Sequence, residues 1–345
     1  MLNAYLSTID VAVPVHSVIQ DQAREFALDM FPQYARSPKH IAVFANTGIE
    51  KRHFVRPVEW YRETHSFAER NALAMDEAMS LSIQAAQGAL NKAKLSPSAI
   101  DAIILVNSTT IATPSLDSRL IQALGLPLSV TRLPLWGLGC AGGAAGLALA
   151  LDLVRGGKKN VLLVAVELCS TTFLHDDLSK SNFVGTALFA DGASAAVISA
   201  AGPGPTLLGR ASNLIPNTED VMGWEVMDTG LKVRFKQDIP TLMRQYMPEC
   251  VQKACAVVGW TPEQLEHHVL HPGGTRVMEA YLESLNLERA RLESSFDIMR
   301  CYGNMSSPTV LFVMERFLQG QPRSGKGILT AMGPGFSAEH VLFEV

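Results

Sequence analysis

Charge is scarce in this 345-residue chain: Asp, Glu, Lys and Arg together make up 18%, and aromatic residues only 7%. The 29 basic residues are scattered rather than gathered into a stripe, and the formal net charge is −4. That argues against nucleic acid or an anionic membrane surface as partner. Cysteine is sparse as well. The five present are an odd number with no CxxC pair, which speaks against a disulfide framework or a zinc site and suits a reducing cytoplasm. The longest apolar run, AGGAAGLALALDLV at 141–154, is too short and too rich in glycine to span a bilayer. The first residues carry no basic cluster and reach Asp10 early, so they do not read as a signal peptide. No low-complexity linker interrupts the chain. A cytoplasmic protein without metal or membrane insertion is the expectation.

What is abundant is apolar sequence, 48% of the residues, ample for a large core. The length suggests two domains or one duplicated unit. Apolar, β-branched runs bounded by turn residues predict strands at 102–107, 160–167, 193–200, 268–271, 327–332 and 340–344. Several are apolar on both faces, the mark of a sheet covered by helices. Helical periodicity runs over 71–94, 239–258 and 308–318, and 141–154 is apolar all round, a buried helix. The class is α/β with a layered architecture.

The two halves echo one another. In the first, the strand DAIILV leads through a helix to GLGCAGGAAGLALALDLVRGG and the strand NVLLVAVE. In the second, HHVLH leads through a helix to CYGNMSSPTVLFVMERFLQG and GILTAM. Val106 to Cys140 is 34 residues and His271 to Asn304 is 33. A division into 1–203 and 204–345 follows. If the halves pack about a pseudo-twofold axis, Cys140 and Asn304 occupy equivalent helix starts, and His271 ends a strand facing the same point.

Three residues could carry chemistry. Cys140 sits among glycines directly before the buried helix. Glycine permits close approach, and a helix N-terminus favours the thiolate; a lone cysteine is otherwise a small buried hydrophobe. His271 opens an HPGG turn after an apolar strand and is otherwise a satisfied core histidine. Asn304 precedes a helix, where its ordinary work is capping, and its functional work would be to donate to an oxyanion. A thiol, an imidazole and an amide make a nucleophile, a base and a donor. Papain-like hydrolases use such a set with Asn orienting His; thiolase-fold condensing enzymes use it with His and Asn jointly holding an enolate oxygen.

The phrases GLGCAGG (137–143), VGTALFADGASAAV (184–197), LHPGG (270–274), YGNMSSPTVLF (302–312) and GPGFSAEHVLFEV (333–345) resemble the type III polyketide synthases, the chalcone synthase-like branch of the thiolase superfamily. PLWGLGCAGGA, VELCS and MGW are similar to the bacterial alkylpyrone and alkylresorcinol synthases. The resemblance implies a homodimer with the five-layer αβαβα thiolase fold in two duplicated halves. It implies that Cys140 carries the acyl group and pairs with His271 as thiolate and imidazolium, while His271 and Asn304 donate to the thioester oxygen of malonyl-CoA. It places Phe189 as an aromatic gate and Thr109, Thr172, Trp224, Leu231, Val233 and Ser306 along the cavity. Gly273 and Gly274 would approach the pantetheine, and Lys51 and Arg52 the CoA phosphates. The implied reaction loads a starter from acyl-CoA, extends it by decarboxylative Claisen condensation with malonyl-CoA, and cyclises it to an alkylpyrone or alkylresorcinol, with no cofactor.

Two residues depart from the plant pattern: Trp224 stands where the plant enzymes have glycine, and Met332 replaces the usual Phe. A bulky indole at 224 implies a cavity unlike that of chalcone synthase. An initiation-type β-ketoacyl carrier-protein synthase shares the fold and the triad, and a papain-like hydrolase shares the order Cys, His, Asn. The hydrolase has no Cys–Trp phrase to support it here, and the duplicated α/β pattern is wrong for it.

Overall fold

Strands apolar on both faces must be covered on both faces, and the computed structural model, which describes residues 3–235 and 239–345, shows how. The strands are β1 (Ala4–Ala12), β2 (His16–Ile19), β3 (Lys51–Phe54), β4 (Ala102–Val106), β5 (Thr131–Leu135), β6 (Asn160–Leu168), β7 (Asp191–Ser199), β8 (Thr206–Leu214), β9 (Met222–Met227), β10 (Gly230–Phe235), β11 (His267–Leu270), β12 (Lys326–Gly333) and β13 (Ser337–Glu344). The helices are α1 (Gln20–Met30), α2 (Pro38–Asn46), α3 (Phe67–Ala93), α4 (Leu116–Leu124), α5 (Gly142–Arg155), α6 (Lys180–Leu188), α7 (Ile239–Ala256), α8 (Thr275–Ser284), α9 (Glu293–Tyr302) and α10 (Thr309–Gln319).

Nine strands form one sheet in the order β11-β12-β13-β8-β1-β7-β6-β4-β5, and two small hairpins, β2–β3 and β9–β10, lie apart from it. The echo in the sequence is an echo of topology. β4 runs parallel to β6, which is antiparallel to β7, which is antiparallel to β1. In the second half β11 runs parallel to β12, which is antiparallel to β13, which is antiparallel to β8. The halves meet where β1 pairs with β8, Ala4 opposite Leu207 and Tyr5 opposite Thr206.

Alternation along each strand divides the core into layers. On β4, Ile103 and Leu105 pack with α3 and α4, while Ile104 and Val106 pack with α5 and α10. On β12, Leu329 and Ala331 join that same middle layer, and Ile328 and Met332 face α7 and α8. The two halves of the sheet thus cover the middle helices from both sides, and the layers run helix, half-sheet, helix, half-sheet, helix, the expected αβαβα arrangement. α3 begins at Phe67, four residues before the apolar periodicity suggests. The reason is a capping box: Ser66 Oγ accepts from Glu69 N (3.2 Å), and the Glu69 carboxylate accepts from Ser66 N (2.8 Å).

One expectation is corrected. α5 starts two residues after Cys140, but α10 starts five residues after Asn304. Counted from the helices, the partner of Cys140 is Ser307. The intervening chain is drawn away because Asn304 pairs with Phe189.

The two central helices cross closely at Gly143. A Cβ added there would lie 2.3 Å from the Ser307 carbonyl oxygen and 2.9 Å from Val310. Backbone cannot yield as a side chain can, so Gly143→Ala is expected to destabilise the fold by about 1–3 kcal/mol. Urea denaturation followed by circular dichroism measures this; an unchanged midpoint would mean that the helices are not in such close contact.

Candidate active site

Cys140 lies in a short 3₁₀ turn, Gly139–Ala141, that leads into α5. Ser108 Oγ receives both Gly137 N and Gly139 N at 3.3 Å, which ties the turn to the end of β4. Asn304 is held by its main chain. Asn304 N donates to Leu188 O (2.9 Å) and Ala190 N donates to Asn304 O (2.9 Å), a small bridge to the end of α6. Its Oδ1 accepts from Ser306 N (2.8 Å), and Cys140 Sγ stands 4.0 Å from the same oxygen. The backbone donor fixes which side of the amide is oxygen, and among the described residues no hydrogen bond engages Nδ2. His271 follows β11 and extends its pairing, His271 N donating to Thr330 O (2.9 Å). Its ring is 3% exposed, and neither nitrogen has a hydrogen-bond partner. The structure therefore brings Cys140 and Asn304 into contact and leaves two kinds of donor unused, the amide of Asn304 and the imidazole of His271.

Burial sets the charge state. It pushes the Cys140 thiol up to about 11, with the nearby Glu167 carboxylate adding to the effect and a hydrogen bond from Ser306 opposing it. It pushes the His271 imidazole down to about 3. Desolvation therefore works against the expected thiolate–imidazolium pair, opposing the helix end by disfavouring the charged form of each group.

Glu167 was not among the expected site residues. It is fully buried at the end of β6, and its carboxylate accepts from Ser108 N (2.9 Å), Thr109 Oγ1 (2.8 Å) and Ser307 Oγ (2.9 Å). Burial raises it to about 7. A carboxylate near the end of a strand whose other residues after Asn160 are all apolar must be partnered or neutral.

The remaining expected residues separate into groups. Phe189, Thr172 and Val233 line one narrow recess with Phe26, Phe54 and Phe173. Trp224 stands beside this wall, its ring 6.2 Å from that of Phe189, and Phe235, also missed, lies 5.6 Å from the same ring. Leu231 is buried next to them on β10, at 1% exposure. The Thr109 hydroxyl is taken up by Glu167 and by Leu168 N (2.9 Å), so it is a scaffold group. Ser306 is buried beside Cys140 with φ +61°. Gly273 is partly exposed and Gly274, at φ +145°, opens α8. Lys51 is exposed at the start of β3, with nothing tying it to the triad.

Arg52 is corrected. It is 0% exposed, and its guanidinium donates to Thr186 O (2.9 Å), Phe189 O (3.0 Å) and Gln20 Oε1. Strand alternation turns Lys51 outward and Arg52 inward, so Arg52 cannot meet a CoA phosphate.

Glu167 is charged above about pH 7 and neutral below it, and its charge disfavours the thiolate of Cys140. Glu167→Gln should therefore speed iodoacetamide alkylation of Cys140 several-fold at pH 8 and leave it unchanged at pH 6. Equal rates in both proteins at pH 8 would remove Glu167 from the electrostatics of the sulfur.

Comparison with known proteins agrees with this geometry. Residues 47–203 match the N-terminal domain model of the chalcone and stilbene synthases, and residues 206–345 match the C-terminal domain model. A 1,3,6,8-tetrahydroxynaphthalene synthase of Streptomyces peucetius subsp. caesius is 34% identical over 347 residues, covering 98% of this chain and 92% of its own. A phloroglucinol synthase of Pseudomonas fluorescens is 30% identical, covering 97% of each chain. The crystal structure of the tetrahydroxynaphthalene synthase from Streptomyces coelicolor A3(2), a bacterial type III polyketide synthase, superposes with a TM-score of 0.95 at 30% identity over 99% of both chains. Matched by both domain models along almost its whole length, the chain belongs to the chalcone and stilbene synthase family, and it is a type III polyketide synthase, an acyltransferase that forms carbon–carbon bonds.

Proposed function

We propose that Cys140 carries a starter acyl group taken from an alkyl acyl-CoA, and that His271 and Asn304 hold the thioester oxygen of malonyl-CoA during extension. The observation that carries this reading is the arrangement at Asn304. Its oxygen is engaged by Ser306 N and faces Cys140 Sγ, and among the described residues no hydrogen bond takes up Nδ2, which can then donate. A papain-like hydrolase needs its asparagine on the histidine, and here both ring nitrogens of His271 lack partners.

Loading starts from the neutral pair. The Sγ proton passes to His271 as sulfur attacks the acyl carbon; the bond from that carbon to the CoA sulfur breaks, and the departing CoA thiolate takes the proton back. Malonyl-CoA then loses CO₂, and the electron pair of the broken carbon–carbon bond becomes an enolate. The N–H of a neutral imidazole and the amide Nδ2 of Asn304 stabilise its oxygen in a site without water. The enolate carbon attacks the Cys140 thioester, and the carbon–sulfur bond breaks to give a β-ketoacyl-CoA. Transfer back to sulfur allows another round. In this scheme, residues 1–203 supply the nucleophile and residues 204–345 supply both oxyanion donors.

A narrow recess supports an alkyl starter and ring closure to an alkylpyrone or alkylresorcinol. Its volume of about 50 Å³, beside Phe189, Thr172 and Val233, suits an unbranched chain better than a ring. Tyr61 and Phe173 line both it and a wider cleft of about 460 Å³. CsyB, 25% identical with a TM-score of 0.90, has been solved complexed with CoA-SH, which supports CoA thioesters as the substrates. Gly273 and Gly274 remain candidates for the pantetheine and Lys51 for a phosphate. A homodimer is supported by the uncovered edge strand β5, with Trp136 (53% exposed) and Leu128 (87%) beside it. Among the described residues no helix is long and apolar enough to cross a membrane, and five free thiols suit the cytoplasm.

Incorporation of labelled malonyl-CoA should vanish in Cys140→Ala. Asn304→Asp should slow malonyl-CoA decarboxylation about 100- to 1000-fold, the usual effect of losing an oxyanion donor, while loading of Cys140 changes little. Loss of loading to the same degree would contradict the division of roles. Across a series of starters, mass spectrometry should find alkyl chains preferred over aromatic starters, and Phe173→Ala should shift the preference to longer chains. An unchanged length profile in Phe173→Ala would place the chain elsewhere.

A further inference from the structure

The gate and the oxyanion donor hang from one point, the C-terminal end of α6, and that end is capped from outside the helix. The last four carbonyls of a helix have no partners within it. In α6 each one is satisfied. Gly185 O accepts from Phe189 N (2.9 Å), and Leu188 O accepts from Asn304 N (2.9 Å). Thr186 O accepts from Arg52 Nη1 (2.9 Å), and Ala187 O from Gln20 Nε2 (3.1 Å). The same Arg52 nitrogen donates to Phe189 O (3.0 Å), and Nη2 donates to Gln20 Oε1, which locks the two side chains together.

Arg52 is costly where it stands. It is fully buried, its Nε has no partner, and among the described residues no carboxylate pairs with it. An uncompensated buried cation destabilises a fold strongly, and an apolar side chain of similar size would avoid that cost. What faces the charge instead is the negative end of α6 and the ring of Phe54, 5.8 Å away. The segment bearing Asn304 runs flush against this cap. At Gly303, φ +69°, an added Cβ would lie 3.2 Å from Leu188 O and 3.5 Å from Arg52 Cβ.

We propose that Arg52, seconded by Gln20, is a positioning residue of the condensing site: it holds the end of α6 so that Phe189 and Asn304 keep their places around the reacting carbonyl. The inference rests on the roles proposed above for those two residues. Arg52 touches neither Cys140 nor His271, so it acts on extension and leaves acyl transfer to the sulfur alone.

Two partial reactions of the full-length enzyme separate this role from mere stability: loading of Cys140 by a starter acyl-CoA, read by protein mass spectrometry, and decarboxylation of malonyl-CoA. Arg52→Gln keeps one amide to serve two carbonyls. Decarboxylation should fall about 10- to 100-fold, the order of loss that follows a misplacement near 1 Å, while loading stays within about twofold. Arg52→Lys should recover part of the loss, and Gln20→Ala should move the ratio the same way by less. Equal loss of both reactions, tracking the drop in Tm, or no loss in either, would overturn the proposal. Should Arg52→Gln not fold, Arg52→Lys and Gln20→Ala are judged by the same ratio. Asn304→Asp is the control. If it leaves decarboxylation intact, the reading of Asn304 fails; if it depresses decarboxylation while the Arg52 and Gln20 variants keep the wild-type ratio, the positioning role alone fails.

Discussion

The site depends on two backbone hydrogen bonds, Asn304 N to Leu188 O and Ala190 N to Asn304 O, both 2.9 Å. They join residue 304 of the second half to the end of α6 in the first. Without them the loop before α10 would have no reason to reach the sulfur, since a helix-start count would bring Ser307 there instead. Main-chain bonds tolerate little displacement, so Phe189 on one side of the bridge and Asn304 on the other move as one piece. A single link therefore sets the distance from the amide to Cys140 and the position of Phe189.

Burial then decides what these groups can do. Lost solvation disfavours charge on both the sulfur and the imidazole, pushing Cys140 up to about 11 and His271 down to about 3. In the proposed mechanism a neutral imidazole offers its one N–H to the enolate oxygen and receives the thiol proton in passing. Glu167 lies at the same depth, taking hydrogen bonds from Ser108 and Thr109 of one half and Ser307 of the other. It is a second cross-link between the units, made of side chains where the first is made of backbone. Its charge near the sulfur is a further reason for the thiol to stay protonated at rest.

Much was legible beforehand because it is local or periodic. Runs apolar on both faces mark covered strands, continuous apolar helices mark the central layer, and the tandem echo marks two similar units; all three depend only on the spacing of residues along the chain. Cys140, His271 and Asn304 are singled out as candidates because each stands at an element boundary beside glycine. Glu167 could have been read the same way, as a carboxylate at the end of the strand NVLLVAVE. Arg52 could not. Alternation says that Lys51 and Arg52 face opposite ways on β3, and nothing in the order of residues says which face α6 will cover.

Taken alone, the amino-acid order determined the layered class and the types of its long periodic elements, because propensity and pattern act over a few residues, and it offered three candidate chemical groups. Tertiary packing decided which groups meet. It brought Asn304 to Cys140 through the end of α6 and enclosed Arg52 beneath it. It also disfavoured charge on the thiol and imidazole by removing water. Solvation and long-range contact depend on what the rest of the chain places nearby, and no local stretch of sequence contains that.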